Sequence, residues 1–175
     1  MKKVIKELNP TTDAEAFFEH IIRITTENGT GLTPIFTTLT PNSIAAFRER
    51  RCKGWGIPLS EAGWIKTWVI WGNEKIIAHV ECFGANHTTH NHRVMLGMAM
   101  EAKFYRQGLG KQLLKHAIDW TRSQGFTWLD LNVFANNIPA LSLYKKFGFE
   151  QVAYVKDKYK TLGTSVDDVQ MTMRL

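Results

Sequence analysis

Cysteine is nearly absent from the 175 residues, with Cys52 and Cys82 the only two. They lie far apart and form no CxxC pair, which excludes a disulfide framework and a cysteine-based zinc site and suits a reducing compartment. Proline is scarce, at 5 residues. No stretch is rich in Gly, Ser or Pro and none repeats, so residues 1–175 read as a single domain. No apolar run approaches the ~18 residues that a membrane-spanning helix needs. The opening Met1-Lys2-Lys3-Val4-Ile5-Lys6-Glu7 lacks the apolar core of a secretory signal, so the expected location is the cytoplasm, with no membrane partner. Acidic residues are outnumbered, 16 Asp plus Glu against 22 Lys plus Arg, giving a formal charge of +6. The cations are scattered and accompany no nucleic-acid-binding motif, so the surplus reads as a solvated surface and no nucleic acid is expected. Apolar residues make up 44%, enough to build a packed core.

The chain alternates strand-like and helix-like segments. Residues 3–8 read as a short strand. Thr12-Asp13-Ala14-Glu15 matches a capping box, and Phe17, Phe18, Ile21 and Ile22 follow at helical spacing until Asn28-Gly29. A second helix starts at Thr40-Pro41 and is expected to fade before Gly54. Residues 64–71 and 75–83 read as a hairpin about a tight turn at Gly72-Asn73-Glu74. Residues 84–91 look like a polar loop, and residues 93–100 like another strand. Leu109, Leu113, Leu114, Ala117, Ile118 and Thr121 mark one face of a helix stopped by Gly125. Residues 127–134 form a strand, residues 139–146 a short helix ended by Gly148, and residues 151–155 and 169–173 two closing strands around a charged loop. The alternation predicts an α/β fold with a mixed sheet.

One junction carries chemistry. A strand ending in Met98-Ala99-Met100 is followed by Tyr105-Arg106-Gln107-Gly108-Leu109-Gly110-Lys111 and at once by an amphipathic helix. Such a junction presents backbone N–H groups with no intrahelical partner at the positive end of a helix dipole. A phosphate fits there, and Gly108 and Gly110 let its oxygens approach the main chain. Arg106 and Lys111 add positive charge. The alternative is that both glycines merely shape the turn. The run is neither a Walker A loop nor the dinucleotide G-x-G-x-x-G, which argues against nucleotide hydrolysis and hydride transfer.

After the next strand comes Asn137-Ile-Pro-Ala-Leu-Ser-Leu-Tyr-Lys-Lys-Phe-Gly-Phe149. With this second element the chain resembles the GNAT superfamily of N-acetyltransferases. That family carries [QR]-x-x-G-x-[GA] followed about thirty residues later by N-x-x-A-x-x-L-Y-x-K-x-G-F. The second pattern is met at Asn137, Ala140, Leu143, Tyr144, Lys146, Gly148 and Phe149. The first is met at Gly108 and Gly110 but departs at its opening position, where Tyr105 stands. The resemblance covers about residues 93–150.

The resemblance implies a mixed, mostly antiparallel twisted sheet flanked by helices, with a splay between strands that receives acetyl-CoA. It implies an acyltransferase that moves an acetyl group from acetyl-CoA, its co-substrate, to a primary amine of a small molecule or protein by direct transfer in a ternary complex. Arg106, Gln107, Gly108, Leu109, Gly110 and Lys111 would hold the diphosphate, and Met98, Ala99 and Met100 would pair with the pantetheine arm. The Met98 N–H would polarise the thioester carbonyl, Asn137 would reach the arm, and Tyr144 would protonate the departing thiolate. The amine must be uncharged to attack, so a general base is expected. The family's glutamate is replaced by Val94, leaving Glu81, His92 and Asp130, of which Glu81 is preferred.

Other patterns have plainer readings. His87, His90 and His92 lack an acidic or cysteine partner in sequence and read as an exposed loop, so no metal is expected. Direct transfer needs no nucleophile at Cys82. Trp55, Trp64, Trp68 and Trp71 read as core and cleft wall. Acceptor specificity is assigned to the first two helices and to residues 84–92 and 156–168, and the C-terminal strand edge could pair across a homodimer. The rival functions are a non-catalytic acyl-CoA-binding module on the same fold and, on charge alone, a nucleic-acid binder.

Overall fold

The computed structural model describes residues 4–27, 40–161 and 164–175. Its elements run β1 (Ile5–Glu7), α1 (Ala14–Glu27), α2 (Pro41–Trp55), β2 (Ile65–Gly72), β3 (Lys75–Gly84), β4 (Arg93–Met100), α3 (Leu109–Ser123), β5 (Trp128–Phe134), α4 (Ile138–Lys146), β6 (Glu150–Thr161) and β7 (Thr164–Arg174). Single 3-10 turns at Thr88–His90 and Ala102–Phe104 flank β4. No helix among the described residues is long and apolar enough to cross a membrane.

Local chemistry sets most boundaries. The expected Thr12–Glu15 capping box does not form. Both Glu15 carboxylate oxygens are taken by Arg48, at 2.8 and 2.6 Å, and the carboxylate that curls back is that of Asp13, which accepts the Asn9 N–H at 3.0 Å. The reciprocal box lies instead at α2, where Thr40 and Ser43 satisfy each other's backbone N–H groups. The expected stop at Asn28-Gly29 lies outside the described residues. Asn73 and Glu74 both hold positive φ, 49° and 65°, as a two-residue primed hairpin turn requires.

Two expectations are corrected. The second helix does not fade before Gly54 but passes through it to Trp55. A Cβ at Gly54 would sit 2.5 Å from Ile65, so the missing side chain lets α2 lie directly on β2. The charged loop after residue 155 is also strand: β6 and β7 form one long hairpin, with an irregularity between Val155 and Tyr159. Its polar groups tie across the pair, Tyr154 Oη donating to Asp167 at 2.5 Å and Lys158 to Asp168 at 2.6 Å.

The strand order is β1-β2-β3-β4-β5-β7-β6. Only β4 and β5 run parallel among these neighbours; every other pair is antiparallel. One face packs on α3 and α4 through residues such as Val80, Leu96, Leu113, Leu131 and Tyr144. The other packs on α1 and α2 through Phe17, Phe18, Ile21, Phe47, Val69 and Ala99. The parallel pairing runs from Arg93↔Trp128 to Leu96↔Leu131 and stops. Beyond it β4 continues to Met100 and β5 to Phe134, each held only on its outer side, by β3 and β7. The sheet therefore opens between its two parallel strands.

Candidate functional site

The turn into α3 is left open on purpose-built backbone. Arg106 and Gly108 have positive φ, 60° and 78°, which turn successive N–H groups toward one side. Gly108 is the N-cap, and no side chain caps it; the first turn holds no acidic residue. The ladder begins only with the Gln112 N–H donating to the Gly108 carbonyl at 3.1 Å. The N–H groups of Leu109, Gly110 and Lys111 are thus left at the positive end of the helix without an intrahelical acceptor. Residues 105–108 are exposed, and nothing lies within 4 Å of the place a Gly108 Cβ would take. Gln107 braces the turn by donating from Nε2 to the Lys103 carbonyl at 3.0 Å.

Gly110 joins this turn to the splay. A Cβ there would meet Met100 Cε at 3.2 Å, Leu143 Cδ2 at 3.5 Å and Met98 Cε at 3.8 Å. The first turn of α3, the end of β4 and the middle of α4 therefore converge on one point. The Glu101 N–H donates to the Ile77 carbonyl on β3 at 3.0 Å. Backbone donors alternate sides along a strand, so the Ala99 N–H also faces β3, whereas those of Met98 and Met100 face the splay. A chain with amide groups of its own can pair with that edge as an added strand would.

Tyr144 sits beside Leu143 on α4, buried, with its ring 5.7 Å from that of Phe149. Its hydroxyl makes no hydrogen bond to the described residues, and burial pushes its pKa up to about 12. It is a neutral phenol at ordinary pH, with a proton to donate. Asn137 is the N-cap of α4, its Oδ1 accepting the Ala140 N–H at 3.2 Å.

Of the expected bases, Glu81 and Asp130 lie on the opposite face and are already engaged. Val94 is wholly buried in the core on the α3 side. Glu81 is 3% exposed and accepts Arg51 Nε and Nη2 at 2.9 Å each, with the Thr67 hydroxyl at 3.1 Å. Asp130 accepts Arg93 at 2.8 and 2.6 Å and the Thr172 hydroxyl at 2.6 Å. Asp168 is bound by Lys158, and its second oxygen is sealed from solvent. His92 is exposed. The sequence reading missed Arg51, Arg93 and Lys158 as partners because each lies on another element, where no local pattern points to them.

The remaining candidates lie at the surface, His87 and His90 beside the cleft next to β4, or in the core. Thr88–His90 is a 3-10 turn with no buried residue, and among the described residues no His, Cys, Asp or Glu cluster could hold a metal. Burial pushes the Cys82 thiol far up, with the Glu81 charge adding to it, so it stays protonated and unreactive. Trp64 and Trp68 pack edge-on against Trp120 at 5.8 and 4.8 Å, Trp55 and Trp71 lie against the other core, and Trp64 also lines a cleft beside β4.

Comparison with known proteins agrees with this fold. A family model described as the acetyltransferase (GNAT) family matches residues 38–149. A [ribosomal protein bS18]-alanine N-acetyltransferase of Escherichia coli K12 is 33% identical over 79 residues, 45% of this chain and 53% of that protein. The chain thus matches about half the length of that relative. A GNAT-family acetyltransferase from Streptococcus pneumoniae superposes with a TM-score of 0.78 at 23% identity, over 99% of this chain and 100% of that one. A phosphinothricin acetyltransferase from Sinorhizobium meliloti, solved in complex with AcCoA, gives 0.80 at 19% identity, over 100% and 89%. At these identities the two structures speak for the fold.

Proposed function

Since the chain belongs to the acetyltransferase (GNAT) family, we propose that it is an acyltransferase that passes the acetyl group of acetyl-CoA directly to an amine. The observation that carries this reading is the uncapped start of α3 placed against the open β4 edge, joined at Gly110. One feature binds a diphosphate and the other an amide-bearing arm, and coenzyme A carries both.

The backbone of Leu109, Gly110 and Lys111 would hold the diphosphate, with Arg106 and Lys111 supplying charge and Gln107 bracing the turn. The pantetheine arm would lie along Met98, Ala99 and Met100. The Met98 N–H faces the splay and would donate to the thioester oxygen, a contribution of roughly 3 kcal/mol where charge develops. The amine nitrogen would attack the carbonyl carbon from the face not filled by α3 and α4. As the N–C bond forms, the amine proton leaves to water. The C–S bond then breaks, and Tyr144 gives its proton to the thiolate and regains one from solvent. Asn137, as the cap of α4, would hold Tyr144 in place as well as border the arm.

Glu81 has a different part in this reading. With both oxygens on Arg51 it positions α2 against β3 and collects no proton from substrate. The deprotonated amine comes from solution, and the enzyme supplies binding and electrostatics.

Release of free thiol from acetyl-CoA across a panel of peptides, amino acids and polyamines tests the proposal. Turnover is expected with at least one amine, and Tyr144→Phe should lower kcat about 100-fold at saturating acetyl-CoA. Calorimetry showing no binding of coenzyme A would overturn it, and binding without turnover across the panel would leave only a carrier of acyl-CoA.

A further inference from the structure

A cleft of about 780 Å3 opens where the end of α2 meets the end of β3 and the start of β4. Arg50, Arg51 and Arg93 line it together with one carboxylate, Asp130, with Trp64 and Phe83 as flat apolar walls and Met95 leading out along β4. Two of these cations are neutralised, Arg51 by Glu81 and Arg93 by Asp130. Arg50 has no carboxylate partner among the described residues. Arg50 is exposed at the rim of the cleft; partial desolvation and the neighbouring Arg51 charge lower its pKa, against an opposing pull from Glu81. A carboxylate in the cleft would relieve that repulsion and make a charge-assisted pair.

Distance then limits the ligand. Met95 lines the cleft and Met98, whose N–H faces the splay, is three residues further along the same strand. At about 3.3 Å per residue the two are ~10 Å apart. A free α-amino acid, with its amine and carboxylate on one carbon, cannot reach both. An extended peptide can: with its amine at Met98, the side chains about three residues on lie over the cleft. Gly97 lies on the path between, and its missing side chain lets the Phe83 ring lie against the strand as an apolar wall, a Cβ there falling 3.1 Å from Phe83 Cε2.

We propose that this cleft is an acceptor subsite for an acidic side chain, so that the preferred acceptor is a polypeptide amino terminus with Asp or Glu at its third or fourth position. The proposal rests on the acetyl-transfer reading above. Its test uses two hexapeptides with free amino termini, identical except for Glu or Gln at positions three and four. Wild-type kcat/KM should favour the acidic peptide about tenfold, Arg50→Gln should erase that ratio, and Arg50→Glu should invert it. The same peptides, acetylated beforehand, are also titrated into the protein by calorimetry, where the acidic one should bind about tenfold tighter only when Arg50 is present. Equal values for the two peptides, or a preference that survives Arg50→Gln, would overturn the proposal. Failure of all turnover with the binding preference intact would sink the transfer reading and leave the subsite standing.

Discussion

A carboxylate at 3% exposure inside a sheet must be neutralised, and Glu81 is held by a two-pronged guanidinium and a hydroxyl. Arg51 is sandwiched in turn, its guanidinium carbon 4.3 Å from the Phe47 ring centre and 4.8 Å from that of Phe83. Removing one charge strands the other, which costs about 3–5 kcal/mol for a buried pair. Glu81→Gln should therefore lower the melting temperature strongly, and the apolar double replacement Arg51→Met with Glu81→Leu should recover most of the loss. A Glu81→Gln protein that melts normally but has lost turnover would instead place this residue in the chemistry. From the sequence, a lone acid in an apolar strand looked functional. Its partner lies 30 positions away on α2, and periodicity within a strand carries no word of it.

At the scale of elements, α3 and α4 were legible because their signals are local: a face of Leu109, Leu113, Leu114, Ala117 and Ile118 for one, a capping Asn137 before Pro139 for the other. The β6–β7 hairpin was not. Lys156, Lys158 and Lys160 on an edge strand look like a loop in sequence, although charge on an edge also guards a strand against unwanted pairing. The opening of α3 lends itself to a sharp test. Gly108→Ala forces a left-handed φ on a residue with a Cβ, costing about 1–2 kcal/mol, and points that Cβ into the open turn. Coenzyme A affinity measured by calorimetry should fall at least tenfold, with only a few degrees lost in melting temperature. Unaltered affinity would mean that the diphosphate sits elsewhere. The docking of α1 on the sheet offers a second. His20 Nε2 and His79 Nδ1 lie 3.0 Å apart and buried, so one donates and the other accepts, and neither carries charge. Burial lowers their pKa values from 6.5 to about 2 and about 3; for His20 the neighbouring His79, Arg23 and Lys75 add to the effect, and for His79 Arg51 does. Folded values below the unfolded one mean stability that is complete above pH 6.5 and lost as pH falls, by up to ~1.4 kcal/mol per pH unit for each histidine. The melting temperature should therefore drop between pH 6.5 and 5, before carboxylates titrate; a flat profile there would contradict a neutral pair.

Taken whole, the molecule divides its labour between the two faces of one sheet. α3 and α4 close one face and carry the anion turn, while α1 and α2 cover only the β2–β3 side of the other. The splay between β4 and β5 is where the faces communicate. That opening lies where the β4–β5 pairing ends at Leu96↔Leu131, which no run of residues announces; only the family resemblance led to it. The division also decides where protons go. On the α1/α2 face Glu81, Asp130 and Asp168 are each bound to a cation, and the family's glutamate position is Val94, buried on the other side. With no free carboxylate there, the pH dependence of kcat/KM should follow the acceptor. An amino-terminal amine, with pKa near ~8, should give a rise that levels near pH 8, and a lysine amine should still be climbing at pH 9, toward its own value of ~10.4. Tyr144, neutral up to about pH 12, adds no limb in that range. Rate profiles for two such peptides, measured from pH 6 to 9.5, separate the cases. A limb that stays at one pH for both amines would reveal an enzymic base after all, either the exposed His92 or one of the three paired carboxylates freed by a rearrangement.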